Sequence, residues 1–323
     1  MFSIWRNLNA TRTFTCTAAD FFSLQPRHTL FLCSGRRVLS INPNRDLSGK
    51  RYNVPPSAEF VARVSGIPTM AKLPYQETAD GLDAAFVGVP IDTGTSNRPG
   101  ARFGPRHIRM ESALLRAYNS GTRAAPFESL MVADIGDVNV NVNPCKNSNV
   151  SYIVSSLCLP LSVLDVVLGE KIGHGTPFRR CVEEGLLDCR RVVQIGLRGS
   201  GYSPDSYEWR QGFRVVQAEE CWFKSLAPLM AEVRAQIGSG PVYLSFDIDA
   251  LDPGFAPGTG TPEIAGLTPI QGVEIIRGCR GLNLVGCDLV EVSPPYDTTG
   301  NTALTGANLL FEMLCVLPKI KYY

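Results

Sequence analysis

The sequence predicts an α/β fold in which a parallel sheet is covered by helices on both faces. Short apolar runs alternate with helical stretches from Asp83 onward, and the runs end in Gly, Pro or Asp. The runs are continuously apolar rather than alternating, as strands must be when helices cover both sides of the sheet. No internal repeat or low-complexity tract interrupts this pattern. These observations favour one large α/β domain.

Six apolar runs have the length and the boundaries of strands. They are Ala84–Val89, Leu130–Asp134, Val192–Leu197, Arg214–Gln217, Val242–Phe246 and Leu284–Val290. Four stretches have the length and polarity pattern of helices. These are Pro105–Arg116, Ser225–Gln236, Pro269–Arg277 and Asn301–Leu317. Because sites in such sheets form beyond the carboxyl ends of the strands, the residues that follow each strand are the first candidates for function.

The charges of the chain are balanced, with 31 lysines and arginines against 30 aspartates and glutamates. The chain as a whole therefore lacks the positive field that draws proteins to nucleic acid or to an anionic membrane. Its richest apolar stretch, residues 154–168, is broken by serine, proline and aspartate and is too short to span a bilayer. This composition favours a small molecule as the partner.

Ten cysteines stand singly, without a Cys-x-x-Cys pair, mostly in apolar surroundings. They are predicted to be free thiols in a reducing compartment rather than a disulfide framework. The three histidines, His28, His107 and His174, are too far apart to form a zinc finger. His107 lies in TSNRPGARFGPRHIR, a segment that is expected to border a site and to start a helix at Pro105. We expect His107 on the surface of that helix.

The first forty residues contain five arginines and a single acid, Asp20, among serine, threonine, phenylalanine and leucine. This composition is typical of a mitochondrial transit peptide in residues 1–40, and a disordered tail without function is the alternative. Residues 41–58, rich in Asn, Pro and Ser, are predicted to be a linker. The globular domain then covers residues 59–323.

Two aspartates with a spacing of two residues follow the buried strand Val242–Phe246. Residues two apart in an extended strand point the same way, so Asp247 and Asp249 direct both carboxylates to one side. Paired carboxylates repel each other unless a cation lies between them, and hard oxygen ligands favour Mg, Ca or Mn. The alternative is that one aspartate merely caps the following turn.

The segment SFDIDALDPGFAPGTGTPE, residues 245–263, resembles the C-terminal signature of the ureohydrolases, the family of arginase, agmatinase and related guanidino-acid hydrolases. The resemblance extends over residues 81–109, 130–141, 169–199 and 286–314. It implies a three-layer arginase-like fold and a homo-oligomeric assembly. It also implies an enzyme that cleaves the guanidinium group of agmatine or a related guanidino compound to urea and an amine.

The same resemblance implies a centre of two manganese ions whose bridging hydroxide attacks the guanidinium carbon. Asp247 and Asp249 match the metal-bridging aspartates. Glu291, in EVSPPYD, matches the carboxylate that pairs with the substrate guanidinium. His174, in GHGTPF, matches the histidine that passes a proton to the leaving amine. On the residues alone, Glu291 could instead form an ion pair with an arginine such as Arg198, and His174 could be an ordinary loop residue.

Two further motifs of the family are missing from this sequence. A Gly-Gly-Asp-His turn and an Asp-Ala-His-x-Asp strand end would supply four more metal ligands, and both would precede GEKIGHGTPF, which begins at Gly169. Residues 142–168 contain neither motif. Several tens of residues, with a central strand and a helix, are therefore predicted to be absent. Because His174 is the only histidine in a suitable place, the site is predicted to lack the ligands for two manganese ions.

These observations lead to three hypotheses. The first is a hydrolase of guanidino compounds whose sequence lacks an internal segment. The second is a non-enzymatic binding or regulatory subunit that keeps the fold and Glu291. The third is a chain that does not fold stably, because a lost central strand leaves buried backbone groups of its neighbours unpaired at about 1–3 kcal/mol each. Ligand chemistry favours inactivity for the sequence as it stands.

Overall fold

The computed structural model describes residues 1–6, 44–45, 51–140, 169, 171, 173–201 and 212–323. All six predicted strands and all four predicted helices are present, with ends that differ by a few residues. The strands are β1 Phe2–Arg6, β2 Asn44–Arg45, β3 Arg51–Tyr52, β4 Ala84–Gly88, β5 Ala124–Ala125, β6 Val132–Asp137, β7 Val193–Leu197, β8 Arg214–Gln217, β9 Pro241–Asp247, β10 Asn283–Val290 and β11 Lys321–Tyr322. The α-helices are α1 Gly104–Glu111, α2 Pro177–Glu183, α3 Ala227–Ile237, α4 Pro269–Gly278 and α5 Asn301–Cys315.

Helix α4 shows how the local sequence sets an element boundary. Thr268 Oγ1 accepts a hydrogen bond from the amide of Gln271 over 3.3 Å, and Gln271 Oε1 accepts one from the amide of Thr268 over 2.9 Å. This reciprocal pair satisfies two amides that have no partner within the helix. Pro269 occupies the first helical position, where its missing N–H costs nothing. The sequence Thr-Pro-Ile-Gln therefore starts the helix where the structure has it.

The central sheet is mixed rather than wholly parallel. Its strand order is β6-β4-β1-β10-β9. β4 pairs with β6 and β10 pairs with β9 in parallel, whereas β1 is antiparallel to both β4 and β10. The prediction of a parallel sheet is therefore wrong for the central strand. That strand comes from the N-terminal segment and runs opposite to its two neighbours.

Strand β1 lies inside the segment that was predicted to be a transit peptide. Phe2, Ser3 and Ile4 are completely buried, and the amino group of Met1 donates to the carbonyl of Val89 over 3.1 Å. Residues 7–43 lie outside the described part of the chain, so the assignment of residues 1–40 as a transit peptide stays a prediction. Because β1 pairs with both β4 and β10, neither of these strands has an open edge toward the other.

Strands β7 and β8 form a separate parallel pair. The prediction placed them in the same sheet as β9, but in the described residues the only strand partner of β7 is β8. β7 meets the segment that follows β9 instead: a Cβ on Gly196 would lie 3.1 Å from Leu267 and 3.8 Å from Ala250. Since β7 faces this segment and not the edge of β9, no hydrogen-bonded ladder joins the two strands.

Helix α5 is buried along most of its length. Its apolar residues occur all round the helix, as expected for a helix in the centre of a domain. It packs against α1, α4 and β10, and α4 in turn contacts α3. Glu312 of this helix accepts hydrogen bonds from Arg277 over 2.9 and 2.6 Å and from Asn119 over 3.0 Å. These charge-assisted bonds compensate the burial of the acid.

The segment predicted to be a linker is partly buried in the domain. Tyr52 and Val54 are buried, and β2 pairs with β3. Residues 41–43 and 46–50 lie outside the described part of the chain, so for them the linker assignment stays a prediction, as does the predicted gap near residues 142–168. Cys189, Cys221, Cys279, Cys287 and Cys315 are not in disulfides, in agreement with the prediction for them. No helix among the described residues is long and apolar enough to cross a membrane.

Candidate active site

Asp247 and Asp249 lie together at the carboxyl end of β9. Asp247 is the last residue of the strand, and Asp249 belongs to the 3-10 turn Ile248–Ala250 that follows. The amide of Asp249 donates to Asp247 Oδ1 over 3.0 Å, and Thr261 Oγ1 donates to Asp249 Oδ2 over 2.9 Å. Asp247 Oδ2 is buried, and no donor among the described residues reaches it. The capping alternative is thus correct for one oxygen of Asp247, and the other oxygen is left to take up a proton or a cation.

Three acids share this buried site. Burial raises the pKa of Asp247 well above its usual range, and the carboxylates of Asp249 and Glu291 raise it further. Burial also raises the pKa of Asp249 to about 6, although the hydrogen bond from Thr261 opposes the rise. Ionised carboxylates that share one buried site repel one another. The site therefore favours the uptake of positive charge.

Glu291 follows β10 directly and has an unusual backbone conformation. Its φ is +63°, in the left-handed region that residues with a side chain rarely adopt. Its Oε1 lies 2.9 Å from His174 Nδ1, and the two side chains are only 4% and 9% exposed. Strained backbone of this kind is frequent at functional sites. The structure thus brings together all four residues that the sequence predicted for the site.

Arg198 does not pair with Glu291, so that alternative is wrong. Arg198 Nη2 donates to the backbone carbonyls of Asp249 and Glu263, over 2.8 Å for Asp249 and 2.5 Å for Glu263. Its Nε donates to the carbonyl of Ile264 over 3.0 Å. Arg198 therefore clamps the loop that carries Asp249 and Thr261. Neither Arg198 as a clamp nor Thr261 as a partner of Asp249 was predicted, and the position of Thr261 within PGTGTPE was the only signal for it.

A loop over residues 93–100 lies against the acids and the histidine. The amide of His174 donates to the carbonyl of Gly94 over 3.3 Å, and Asn97 Nδ2 donates to the carbonyl of Gly260 over 2.9 Å. A Cβ on Gly260 would lie 3.3 Å from Glu291 Oε2 and 3.2 Å from the carbonyl oxygen of Arg98. Any side chain at position 260 would therefore meet tight contacts with the loop and with the acid, which a glycine avoids. His107, as predicted, lies on α1 and is partly exposed.

The other acids at nearby strand ends are held by arginines. Arg109 of α1 donates to both oxygens of Asp134, over 2.8 and 3.0 Å, and to Asp137 over 2.6 Å. Arg102 forms an ion pair with Asp92 at 2.5 Å. These acids serve as structural ion-pair partners and do not add ligands to the site.

The residues of the site do not fit a centre of two metal ions. In the part of the chain that the structure describes, no three His, Cys, Asp or Glu side chains are grouped so that they could hold a metal ion. Asp247 and Asp249 offer carboxylate oxygens, while His174 is hydrogen-bonded to Glu291. Two metal ions at working affinity need more ligands than these.

Comparison with known proteins identifies relatives over most of the chain. The profile of the arginase family matches residues 82–158 and 164–315. The mitochondrial agmatinase of Gallus gallus is 63% identical over 311 residues, which covers 84% of this chain and 92% of that protein. The mitochondrial guanidino acid hydrolase of Homo sapiens is 58% identical over 317 residues, covering 86% of this chain and 90% of that protein.

A solved structure agrees with these matches. Proclavaminate amidino hydrolase from Streptomyces clavuligerus superposes with a TM-score of 0.71 at 32% identity, covering 79% of this chain and 98% of that one. It confirms the arginase-like fold. The names of the two relatives confirm the predicted mitochondrial localisation. Since the family profile spans most of the globular domain, the chain belongs to the arginase family.

Proposed function

We propose that this chain binds the guanidinium group of a small guanidino compound at Glu291, and that the sequence as it stands does not hydrolyse it. The observation that carries the proposal is the buried group of Asp247, Asp249 and Glu291, which favours positive charge. A guanidinium is a planar cation whose paired N–H donors match a carboxylate. The names agmatinase and guanidino acid hydrolase, carried by relatives, support this class of ligand.

Each residue has a distinct part in this proposal. In this proposal the carboxylate of Glu291 accepts hydrogen bonds from the guanidinium and so orients it. Its Oε2 lies beside the loop that contains Gly260. His174, bonded to Glu291 Oε1, stands next to the bound group, in the position from which it would pass a proton to the leaving amine if the site were complete. What the site lacks is a group that converts water to hydroxide at neutral pH. In the family this is the work of two manganese ions, for which the residues here are insufficient.

The extent of the match supports the absence of an internal segment. The alignment with the Gallus gallus relative runs over 311 residues but covers only 84% of this chain of 323 residues. A few tens of positions in that alignment therefore have no counterpart here. The predicted gap near residues 142–168 is where the two missing motifs would lie.

The assembly of this chain is a second part of the proposal. The resemblance to the family implies a homo-oligomer, and a regulatory subunit would assemble with a complete relative. Phe60, Val64 and Ile67 support an association surface, because their side chains are 80%, 97% and 80% exposed. Light scattering on the purified chain, alone and mixed with a complete relative, distinguishes a homo-oligomer from a mixed assembly.

A binding experiment tests the main proposal. We expect agmatine or 4-guanidinobutyrate to raise the melting temperature of the full chain, and we expect Glu291→Gln to remove that rise because the neutral amide cannot form the ion pair. Glu219→Gln is the matched control, since Glu219 is exposed and lies in the 3-10 turn after β8. Absence of any ligand-dependent shift in the unmodified chain would contradict guanidinium binding.

An activity assay tests the second half of the proposal. The unmodified chain with excess manganese is expected to release no urea from either compound above the blank. Chelator-sensitive urea formation that Asp247→Ala abolishes would show that other ligands complete the site. The ligand-induced rise in melting temperature does not depend on turnover, so the two halves can fail separately.

A further inference from the structure

The centre of the sheet depends on residues at the start of the chain. Phe2, Ser3 and Ile4 pair on one side with Leu289, Asp288 and Cys287, and on the other side with Gly88, Val87 and Phe86. Neighbouring strands lie about 4.8 Å apart, so β4 and β10 are separated by about two such spacings. Without β1 they are too far apart to pair. The sheet is continuous only because this segment lies between them.

The segment fits its place by its side chains as well as by its backbone. Phe2 and Ile4 point to one face, where both belong to the main hydrophobic core. The Phe2 ring lies 6.0 Å from the ring of Phe86, and the guanidinium of Arg109 lies 4.8 Å above it. Met1 packs with Val89 and Val290 beyond the strand. Successive residues of a strand point to opposite faces of the sheet. The position between β4 and β10 therefore requires an extended segment with apolar residues at every second position.

We propose that the space between β4 and β10 is a strand-binding site whose ligand is the chain's own segment Phe2–Arg6, and that the stably folded protein is the one that keeps this segment. Removal of residues 1–40 as a transit peptide and completion of the sheet then exclude each other. Processing must act before β1 has paired. Once β1 has paired, its backbone has partners on both sides, so a cut near residue 40 would leave Phe2–Arg6 held in the sheet and would not remove it.

A cross-link tests whether β1 occupies this position in solution. Ile4 lies directly opposite Cys287 in the antiparallel ladder, and opposite residues in such a ladder have Cα atoms about 4.5–5.5 Å apart, within the range of a disulfide. We expect Ile4→Cys to form a disulfide with Cys287 in most molecules under mild oxidation, identified by mass spectrometry of the linked peptides. Ser3→Cys, on the opposite face, is the matched control and should not link to Cys287.

The outcomes of the cross-link are unambiguous. The link in Ile4→Cys, and its loss when Cys287→Ser is added, supports the proposal. A folded Ile4→Cys protein in which the introduced thiol remains free, or pairs with other cysteines in preference to Cys287, overturns it.

A second measurement follows the consequence for processing. The full chain and a chain without residues 1–43 are compared by thermal melting and by trypsin digestion. We expect the shortened chain to melt at least several degrees lower and to be cut sooner, and Ile4→Asp in the full chain to act in the same direction, with Ile4→Val as the mild control. Equal melting temperatures and equal protease resistance of the two chains would refute the retention of β1.

Discussion

At the scale of single residues, the buried charges of this protein are arranged in separate groups with different chemistry. Asp247, Asp249 and Glu291 interact in one buried site, where His174 is hydrogen-bonded to Glu291 and, among the described residues, Arg198 acts on the carboxylate of Asp249 through its charge alone. Asp134, equally buried, accepts two hydrogen bonds from Arg109 and one from the amide of Met70. Both groups contain buried acids of the central sheet, Asp134 within β6 and Asp247 at the end of β9, so burial alone does not distinguish them. An acid with all its oxygens satisfied is structural, whereas an acid with an oxygen that no donor reaches is available to a ligand.

The first prediction concerns Arg109. Arg109→Met leaves the buried carboxylate of Asp134 without its cation, and we expect the free energy of unfolding to fall by about 3–5 kcal/mol. Urea denaturation of the full chain measures this change. Arg106→Met is the control, because Arg106 is exposed on the same helix and its replacement should change stability by less than about 0.5 kcal/mol. If Arg109→Met is as stable as the control, the ion pair is unimportant for the fold.

At the scale of secondary-structure elements, β9 and β10 share a buried acid away from the candidate site. Asp288 of β10 is 1% exposed and accepts hydrogen bonds from Tyr243 over 2.8 Å and from Ser245 over 2.7 Å, both on β9. Burial raises the pKa of Asp288 to about 7, and the two hydrogen bonds only partly oppose the rise. The pairing of these two strands is therefore linked to a proton.

The second prediction gives the sign of that linkage. Between the pKa of an unfolded aspartate, about 4, and about 7, the folded chain keeps a proton that the unfolded chain releases. The contribution of Asp288 to stability is therefore fully present below pH 4 and is lost as the pH rises to about 7, by about 4 kcal/mol in all. Asp288→Asn should remove this component, and urea denaturation of both proteins from pH 5 to pH 8 measures it. Parallel pH profiles for the two proteins would exclude Asp288 as the group responsible.

At the scale of the whole molecule, the fold survives although the predicted set of metal ligands is incomplete. The helices α1, α4 and α5 and the strands β9 and β10 pack into one hydrophobic core. Guanidine hydrolysis, in contrast, depends on ligands that converge from several loops. The loss of an internal segment that we propose would therefore remove the chemistry more readily than the architecture. The third hypothesis, a chain that does not fold, assumed unpaired neighbouring strands, and β1 pairs with both β4 and β10.

The third prediction is recovery of activity. Inserting the two missing family motifs, with the helix and strand between them, ahead of Gly169 restores the four predicted ligands. We expect this restored chain to release urea in a manganese-dependent manner, because bound metal ions lower the pKa of water toward 7. Asp247→Ala in the restored chain should abolish urea release, and Glu219→Gln should not affect it. A restored chain that binds manganese but remains inactive would show that the defect lies elsewhere.

Local patterns in the sequence determined much of this protein. Continuous apolar runs predicted β4, β9 and β10, the polarity pattern from Pro269 onward predicted α4, and the spacing of Asp247 and Asp249 predicted two carboxylates at one strand end. These features depend on neighbours within a few residues, which the sequence displays directly. The family motifs likewise led to Glu291 and His174, and these residues do lie together.

Only the tertiary structure decided which distant groups meet. The composition of residues 1–40 suggested a transit peptide, yet Phe2–Arg6 pairs with strands about eighty or more residues away. Arg198 was a reasonable partner for Glu291 by charge, yet it binds the carbonyls of the loop after β9. A strand edge or a charged side chain accepts any partner of suitable shape and sign. Its actual partner is set by non-local packing, because only the folded chain determines which of these groups come within hydrogen-bonding distance.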